Sequence, residues 1–298
     1  MRINIINLDK DKWILTKIAK RLCFNLKLLG HEVSIHKKPI KQVDVNHFII
    51  FLFQKEKAEN YFKNTVNTTM LTHVNDDIRY NKIRNISKFM DAGIALSEDH
   101  AQFIKSKSLG LKKIFSVLPA NDGDLKIKKI HFGIFTNLYN DGRKEEDFLC
   151  DELHKFDPNL IKISIIGKGW RPLVKKLISL GFEINYQRFF FRKRYVSQMK
   201  TIDYLIYLGQ DEGSMSFLDA LQLGIKTIMI PQGFQNDLKK YITFPVKKDL
   251  SNFGSIVKKI ISQRKKFVEI NKLLTWENYA KEHIKIWEEL IRLKSKHH

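Results

Sequence analysis

Cysteine is nearly missing from this chain, with only Cys23 and Cys150 among 298 residues. Both stand in apolar surroundings and give no disulfide framework, so the expectation is a reducing, cytoplasmic setting. Long apolar runs are missing too. The longest, Phe48 to Phe53, falls far short of the roughly 20 residues a membrane-spanning helix needs, and it reads as a buried strand. The first residues, Met1 to Asn7, are interrupted by polar side chains, and no small-residue cleavage site follows, so they do not read as a signal peptide. Internal repeats, collagen-like periodicity and Gly/Ser low complexity are absent. Acid is scarce, at 32 Asp and Glu against 53 Lys and Arg, for a net charge of +21. A surplus of that size draws a protein toward polyanions: nucleic acid, an anionic lipid surface or phosphorylated substrates. A lysine-rich, merely solvated surface accounts for it as well. The terminal Lys294 to His298 reads as a frayed tail, not a metal site.

What is present is an alternation of strand-like and helix-like segments from end to end, the mark of parallel α/β layers. Arg2–Leu8 opens as a strand. A helical period follows through Ile14, Ile18, Leu22 and Leu26, stopped by Gly30. Strands are expected at Glu32–Ile35, His47–Phe53, Thr69–Val74, Asp91–Ser97 and Lys113–Leu118, with a helix opening over Asp99–Lys107. Pro119 to Asp124 is a turn-rich joint. A second series runs through Lys129–Phe135, Lys162–Ile166, Phe182–Asn185, Tyr204–Tyr207 and Thr227–Ile230. An amphipathic helix from Trp276 to Leu293 closes the chain. The division expected is residues 1–121, 122–275 and a final helical segment, 276–298.

The densest chemistry follows the strand Tyr204–Leu208. There Asp211-Glu212-Gly213-Ser214-Met215-Ser216-Phe217-Leu218-Asp219 runs into Ala220 and a glycine stop at Gly224. Gly213, Ser214 and Ser216 let backbone N–H groups at a helix N-terminus face an anion. Asp211 precedes the turn and Asp219 lies about one helical turn inside the helix. One carboxylate can reach a ligand's far end while the other reaches a hydroxyl pair. That arrangement suits a nucleotide carrying a sugar.

This spacing resembles the acidic-x7-acidic signature of the retaining GT-B glycosyltransferases, specifically glycosyltransferase family 4. The usual form there is Glu-Gly-Phe-Gly-x-x-x-x-Glu-Ala followed by a helix-ending Gly. Here both glutamates are aspartates, while Ala220 and Gly224 fall in register. The resemblance implies two Rossmann-like domains facing each other across a cleft, an acceptor domain first and a donor domain second, with the C-terminal helix crossing back. It implies transfer of a hexose from a nucleotide-diphosphate sugar to a saccharide or lipid-linked acceptor in bacterial surface polysaccharide synthesis. Retention of configuration is implied, with no metal and no cofactor beyond the donor itself. Asp219 is assigned to the ribose and Asp211 to the transferred sugar. Gly213, Ser214 and Met215 offer amides, and Arg143 and Lys144 grip the diphosphate. His73 faces the sugar from the first domain, its structural alternative being an ordinary strand-end histidine.

Other positions carry weaker signals. Gly167-Lys168-Gly169 ends a strand and could admit a base or ribose, although a lone Gly-x-Gly is more often a plain turn. Tyr186 follows in a position that frames a base, and Gln232-Gly233-Phe234 borders the same end of the sheet. Asp9, Lys12 and Trp13 replace the family's glycine-rich loop. Asn75-Asp76-Asp77 reads as a polar turn. In Arg188-Phe189-Phe190-Phe191-Arg192-Lys193-Arg194-Tyr195, the expectation is that Phe189–Phe191 are buried against the sheet. Contact with an anionic membrane ranks second for this segment, and single-stranded nucleic acid below that. Outside the family, the rival is a polyanion-binding protein on a Rossmann-like scaffold. A glycosyltransferase acting on DNA or protein also stays open.

Overall fold

The computed structural model describes residues 1–8, 13–51 and 64–296. Two α/β units divide the chain, Met1–Leu125 with Ile270–His298, and Lys126–Glu269. The first contains β1 (Arg2–Ile6), α1 (Ile14–Leu28), β2 (Glu32–His36), β3 (Val45–Phe48), β4 (Val66–Leu71), α2 (Asp77–Ser87), β5 (Ala92–Ala95), α3 (Glu98–Ser106) and β6 (Ile114–Ser116). Its strands all run parallel in the order β2-β1-β3-β4-β5-β6. β4 is central and buried along its whole length, as a strand covered on both faces must be.

Two expectations shift here. The buried stripe of α1 is Thr16, Ala19, Leu22, Cys23 and Leu26, while Ile14 is exposed. The helix is thus turned relative to the expected stripe, keeping Leu22 and Leu26. The Phe48–Phe53 strand begins earlier, at Val45, and ends at Phe48. Ile49, Ile50 and Phe51 are buried beyond its end, and Leu52 and Phe53 lie outside the described residues. The burial of residues 49–51, with the Ile49 N–H still bonded to the Ile6 carbonyl of β1 at 3.1 Å, explains why that run looked like a strand.

The C-terminal α10 (Trp276–Ser295) packs on α1 and β4, burying Trp276, Tyr279, Trp287 and Leu290 in the first unit's core. The return to this unit starts at Ile270, within α9 (Phe253–Leu273), and the joint ends at Leu125. These differ from the expected 276 and 121 because the two crossings are tied together. Asn121 donates its backbone N–H to the Leu274 carbonyl (2.9 Å) and its side-chain amide to Asn271 Oδ1 (2.9 Å).

A histidine pair is sealed beneath α10. Thr68 Oγ1 accepts the Trp287 indole N–H at 3.1 Å and shares a hydrogen bond with His47 Nδ1 at 2.9 Å. His283 Nδ1 donates to the Tyr279 carbonyl at 2.8 Å. The His47 and His283 rings meet edge to face at 5.2 Å. Burial, and for His47 the neighbouring His283, hold both well below the ordinary histidine value, His283 to about 4.

The second unit carries β7 (Ile130–Phe135), α4 (Glu146–Leu153), β8 (Ile161–Ile166), α5 (Arg171–Ser179), β9 (Glu183–Gln187), α6 (Arg192–Met199), β10 (Tyr204–Tyr207), α7 (Met215–Leu223), β11 (Lys226–Met229), α8 (Phe234–Asp237) and β12 (Phe244–Pro245). Its parallel order is β12-β11-β10-β7-β8-β9. The chain starts in the middle at β7, winds outward to β9, then returns to β10 on the other side. The crevice beyond the carboxyl ends of β7 and β10 is therefore the topological switch point, where open α/β sheets bind ligands. Two Rossmann-like parallel-sheet units are the fold class the resemblance implies.

The histidine pair sets an acid limit on the first unit. Unfolded histidine titrates near 6.5, and the folded rings take protons only near 4 for His283. The unfolded state therefore binds more protons between those values, and stability present above pH 6.5 is lost as pH falls. The expected slope is roughly 1.4 kcal/mol per pH unit per histidine. Urea denaturation across that range measures it, and a flat profile would show that the rings titrate unhindered.

Candidate active site at the switch point of the second unit

The loops at the carboxyl edge of this sheet are stitched to one another in the order of their strands. After β8, Gly167 passes the β7 loop so closely that a Cβ would stand 1.9 Å from the Thr136 carbonyl. Asn137 Oδ1 accepts the Lys168 N–H at 2.8 Å, and the Trp170 indole donates to Thr136 O at 2.7 Å. The β7 and β10 loops join through Gln210, whose N–H donates to Arg143 O (2.9 Å) and whose side chain donates to Glu145 (2.6 Å). The β10 and β11 loops join through the Phe234 N–H on Glu212 O at 3.1 Å. At Gly233 a Cβ would lie 2.1 Å from that same carbonyl.

Across the switch point itself, Lys144 from the β7 loop reaches Asp211 from the β10 loop. Lys144 Nζ pairs with Asp211 Oδ2, and both side chains are largely enclosed, at 6% and 11% exposed. Tyr207, the last residue of β10, completes the group. Its hydroxyl accepts from Lys144 Nζ at 2.6 Å and donates to Asp211 Oδ1. The Gly213 N–H adds a bond to Oδ1 at 3.2 Å. Gly209 lets the phenol fold back under the loop, since a Cβ there would meet the Tyr207 ring and hydroxyl at 2.5 Å. Burial works to raise the Asp211 carboxyl, but the bonds from Lys144, Tyr207 and Gly213 outweigh it and hold it below the usual range. Burial and then the adjacent carboxylate push the Tyr207 phenol well up, so it keeps the proton it donates.

α7 starts beside this cluster. Ser214 is its N-cap but makes no side-chain capping bond, and no acidic side chain sits in the first turn. The N-terminal end of the dipole is thus left for an anion. Ser214 and Ser216 are buried and Met215 projects outward. Asp219, the fifth residue of α7, is not first-turn dipole compensation. Its Oδ2 takes the Tyr195 hydroxyl at 2.5 Å and the Arg192 guanidinium at 3.4 Å. Burial and the bond to Asp219 push the Tyr195 phenol up to about 12. Gly224 ends the helix in left-handed backbone, and the Ile225 N–H closes onto Ala220 O at 2.9 Å.

Several sequence expectations change in this light. Arg143 and Lys144 do not act as a matched pair. Lys144 turns inward, while Arg143 lies half-exposed over the Tyr139 ring at 4.4 Å and bonds Asp141 at 3.2 Å. Gly167 and Gly169 lie close against the chain's own residues 136–138, where a Cβ would clash. The exposed Lys168 side chain stands 5.9 Å from the Phe189 ring. Tyr186 donates its hydroxyl to Gly167 O at 3.1 Å. Phe189, Phe190 and Phe191 are at least half exposed, not buried against the sheet. In the first unit, His73 lies exposed just past β4 with φ 55, a left-handed backbone rare outside glycine. Asp76 caps α2 by accepting the Arg79 N–H at 2.8 Å, the polar turn expected of that run. Trp13 is exposed at the start of α1, and Asp9 and Lys12 lie outside the described residues. Sequence reading missed Tyr207, Tyr195, Gln210 and Arg192. Two are tyrosines inside apolar or basic runs, where nothing marks a hydroxyl as a partner for a carboxylate many residues away.

Replacing either member of the ion pair strands the other. Lys144→Met and Asp211→Asn should each destabilise the second unit by about 3 kcal/mol, and the double variant by clearly less than their sum. Tyr207→Phe should cost about 1–3 kcal/mol by leaving both partners a bond short. Chemical denaturation of the four variants reads these values. Additive losses would show that the two charges do not sense each other.

No family model matches the chain, and no curated protein matches it. Solved structures do. The apo form of the lipopolysaccharide outer core galactosyltransferase WaaB is 15% identical over 97% of this chain and 100% of that one, with a TM-score of 0.39. HepE from Anabaena in complex with UDP is 14% identical over 99% and 98%, TM-score 0.36. Sucrose-phosphate synthase from Thermosynechococcus elongatus is 10% identical over 98% and 100%, TM-score 0.40. Likeness this distant leaves the chemistry to be read from the residues of the chain itself.

Proposed function

We propose that the protein is a glycosyltransferase that moves a hexose from a nucleoside-diphosphate sugar to a saccharide or lipid-linked acceptor. The observation that carries this reading is the Lys144–Tyr207–Asp211 cluster, set at the switch point beside an uncapped helix N-terminus. A diphosphate on the α7 amides would meet the N–H of Lys144 that remains after its bonds to Tyr207 and Asp211. Arg143, exposed on the same loop, can swing toward it. As the glycosidic bond breaks, charge builds on the leaving diphosphate, and fixed donors favour that state over the ground state. Asp219 binds Tyr195 and Arg192 through Oδ2, which leaves Oδ1 for a ribose hydroxyl. Asp211 holds Lys144 while keeping a lone pair for a hydroxyl of the transferred sugar. His73 is the residue of the first unit that this reading assigns to the reacting face of the sugar.

In the retaining course the anomeric carbon loses its phosphate oxygen and gains the acceptor oxygen on the same face. The acceptor's proton passes to the departing phosphate, so no protein nucleophile is required. The charge of the diphosphate is met by Lys144, Arg143 and the α7 amides without a divalent ion. We place the activity in bacterial surface polysaccharide synthesis on the cytoplasmic side, where nucleotide sugars are the donors.

A thermal-shift panel of nucleoside diphosphates tests the reading. The base of the true donor should stabilise the protein by about 2.7 kcal/mol at a hundredfold excess over Kd. Lys144→Met should remove that shift and the turnover of the matching nucleotide sugar. Stabilisation by no nucleotide, together with a salt-dependent gel shift on nucleic acid, would replace the enzyme with a polyanion-binding protein.

A further inference from the structure

One surface of the second unit is left unused by the site. Between the edge strand β9 and α6, Phe189, Phe190 and Phe191 follow one another at 50%, 61% and 55% exposure. Three consecutive half-exposed aromatics are an unusual cost for a surface meeting only water. They are framed by Arg188, Arg192, Lys193 and Arg194, with no acid in the segment. Only Arg192 of these has a carboxylate partner, Asp219; among the described residues Arg188, Lys193 and Arg194 form no ion pair. Lys168 adds a further cation near Phe189.

We propose that residues 188–194 form a docking surface for a bilayer carrying anionic headgroups. Aromatic rings enter the headgroup boundary while arginine and lysine pair with lipid phosphates, and this segment interleaves the two. Ring geometry favours lipid over nucleic acid. Base stacking needs open ring faces. Here Arg188 stands 5.2 Å and Lys168 5.9 Å from the centre of the Phe189 ring, Arg194 stands 5.8 Å from that of Phe191, and Phe190 packs on Tyr195 at 5.1 Å. Each ring thus has a cation or another ring beside it, which leaves less open face for base stacking than a bare aromatic would offer. The inference rests on this surface alone and holds whether or not the donor-site reading does.

Co-sedimentation of the full chain with phosphatidylcholine vesicles, with and without phosphatidylglycerol, is the test. Binding should require phosphatidylglycerol. Arg188→Gln/Lys193→Gln/Arg194→Gln should weaken it roughly a hundredfold. With a net charge of +21 the whole protein could adsorb unspecifically, so the phenylalanines decide. Phe189→Ser/Phe191→Ser should weaken binding by about tenfold and lower the thermal midpoint only slightly, because both side chains are already at least half exposed. Phe189→Trp should shift its emission to the blue on phosphatidylglycerol vesicles, a readout that needs no loss of function. Parental vesicle binding by the serine variant, or an unshifted tryptophan, would overturn the proposal. So would polyuridylate binding that depends on the same phenylalanines and displaces the vesicles, which would make the segment a nucleic-acid surface.

Discussion

The second unit is organised around one enclosed ion pair. Withdrawing an ammonium and a carboxylate from water costs several kcal/mol for each, and their attraction repays this only when their remaining bonding capacity is met. Tyr207 supplies what is lacking, one lone pair for Lys144 and one proton for Asp211. Gly213 adds a further donor to the same carboxylate oxygen. Lys144 and Asp211 come from the β7 and β10 loops on either side of the switch point and Tyr207 from the end of β10, so forming the pair also ties those loops together. The donors are held by bonds within the group itself, and preorganised donors are what charge stabilisation requires.

Around the pair, backbone does most of the positioning. Three glycines stand where a Cβ would strike neighbouring chain: Gly167 against Thr136, Gly209 against Tyr207, and Gly233 against Glu212. Each lets one loop of the carboxyl edge lie against another or against its own strand. The effect runs from β8 through β7 and β10 to β11, so the α7 N-terminus is braced from both sides. Asp219 is held separately, through α6, and its partners Tyr195 and Arg192 adjoin the exposed phenylalanines. Asp219 and the exposed phenylalanines are thus neighbouring parts of one local structure.

The strand-helix alternation was legible because buried parallel strands are short apolar runs and the helices between them carry periodic stripes. Asp211, Gly213, Asp219 and Gly224 were legible because the turn, the helix start and its stop follow one another without a gap. Partners distant in sequence were not. Lys144 was legible only as half of a basic pair with Arg143, and its enclosure by Tyr207 and Asp211 is what sets it apart from that neighbour. Gly167 and Gly169 suggested room for a ligand, and nothing in the sequence signalled that residues 136–138 pack directly against them. Phe189–Phe191 looked like core because hydrophobicity alone reads as burial, and only the fold shows that β9 is an edge strand with no layer beyond it.

The net charge of +21 exceeds what the site uses. Under the proposed function a diphosphate would engage Lys144, Arg143 and a helix dipole, all acting at contact distance. The remaining surplus acts through a potential screened within about 8 Å at physiological ionic strength, which raises encounter rates with any polyanion but selects none. Selection has to come from groups that lose water on contact. In the second unit the Lys144–Tyr207–Asp211 cluster would do this for a phosphate under the proposed function, and the three phenylalanines would do it for an apolar boundary. A uniformly lysine-rich surface would have no reason to expose three adjacent aromatic rings, so composition alone leaves this segment unexplained. Its position beside Arg192, which also holds Asp219, means that a surface drawing the 188–194 segment toward itself would bear on the arginine that shares the carboxylate assigned to ribose. Where this protein docks and how it holds its donor are therefore mechanically adjacent questions.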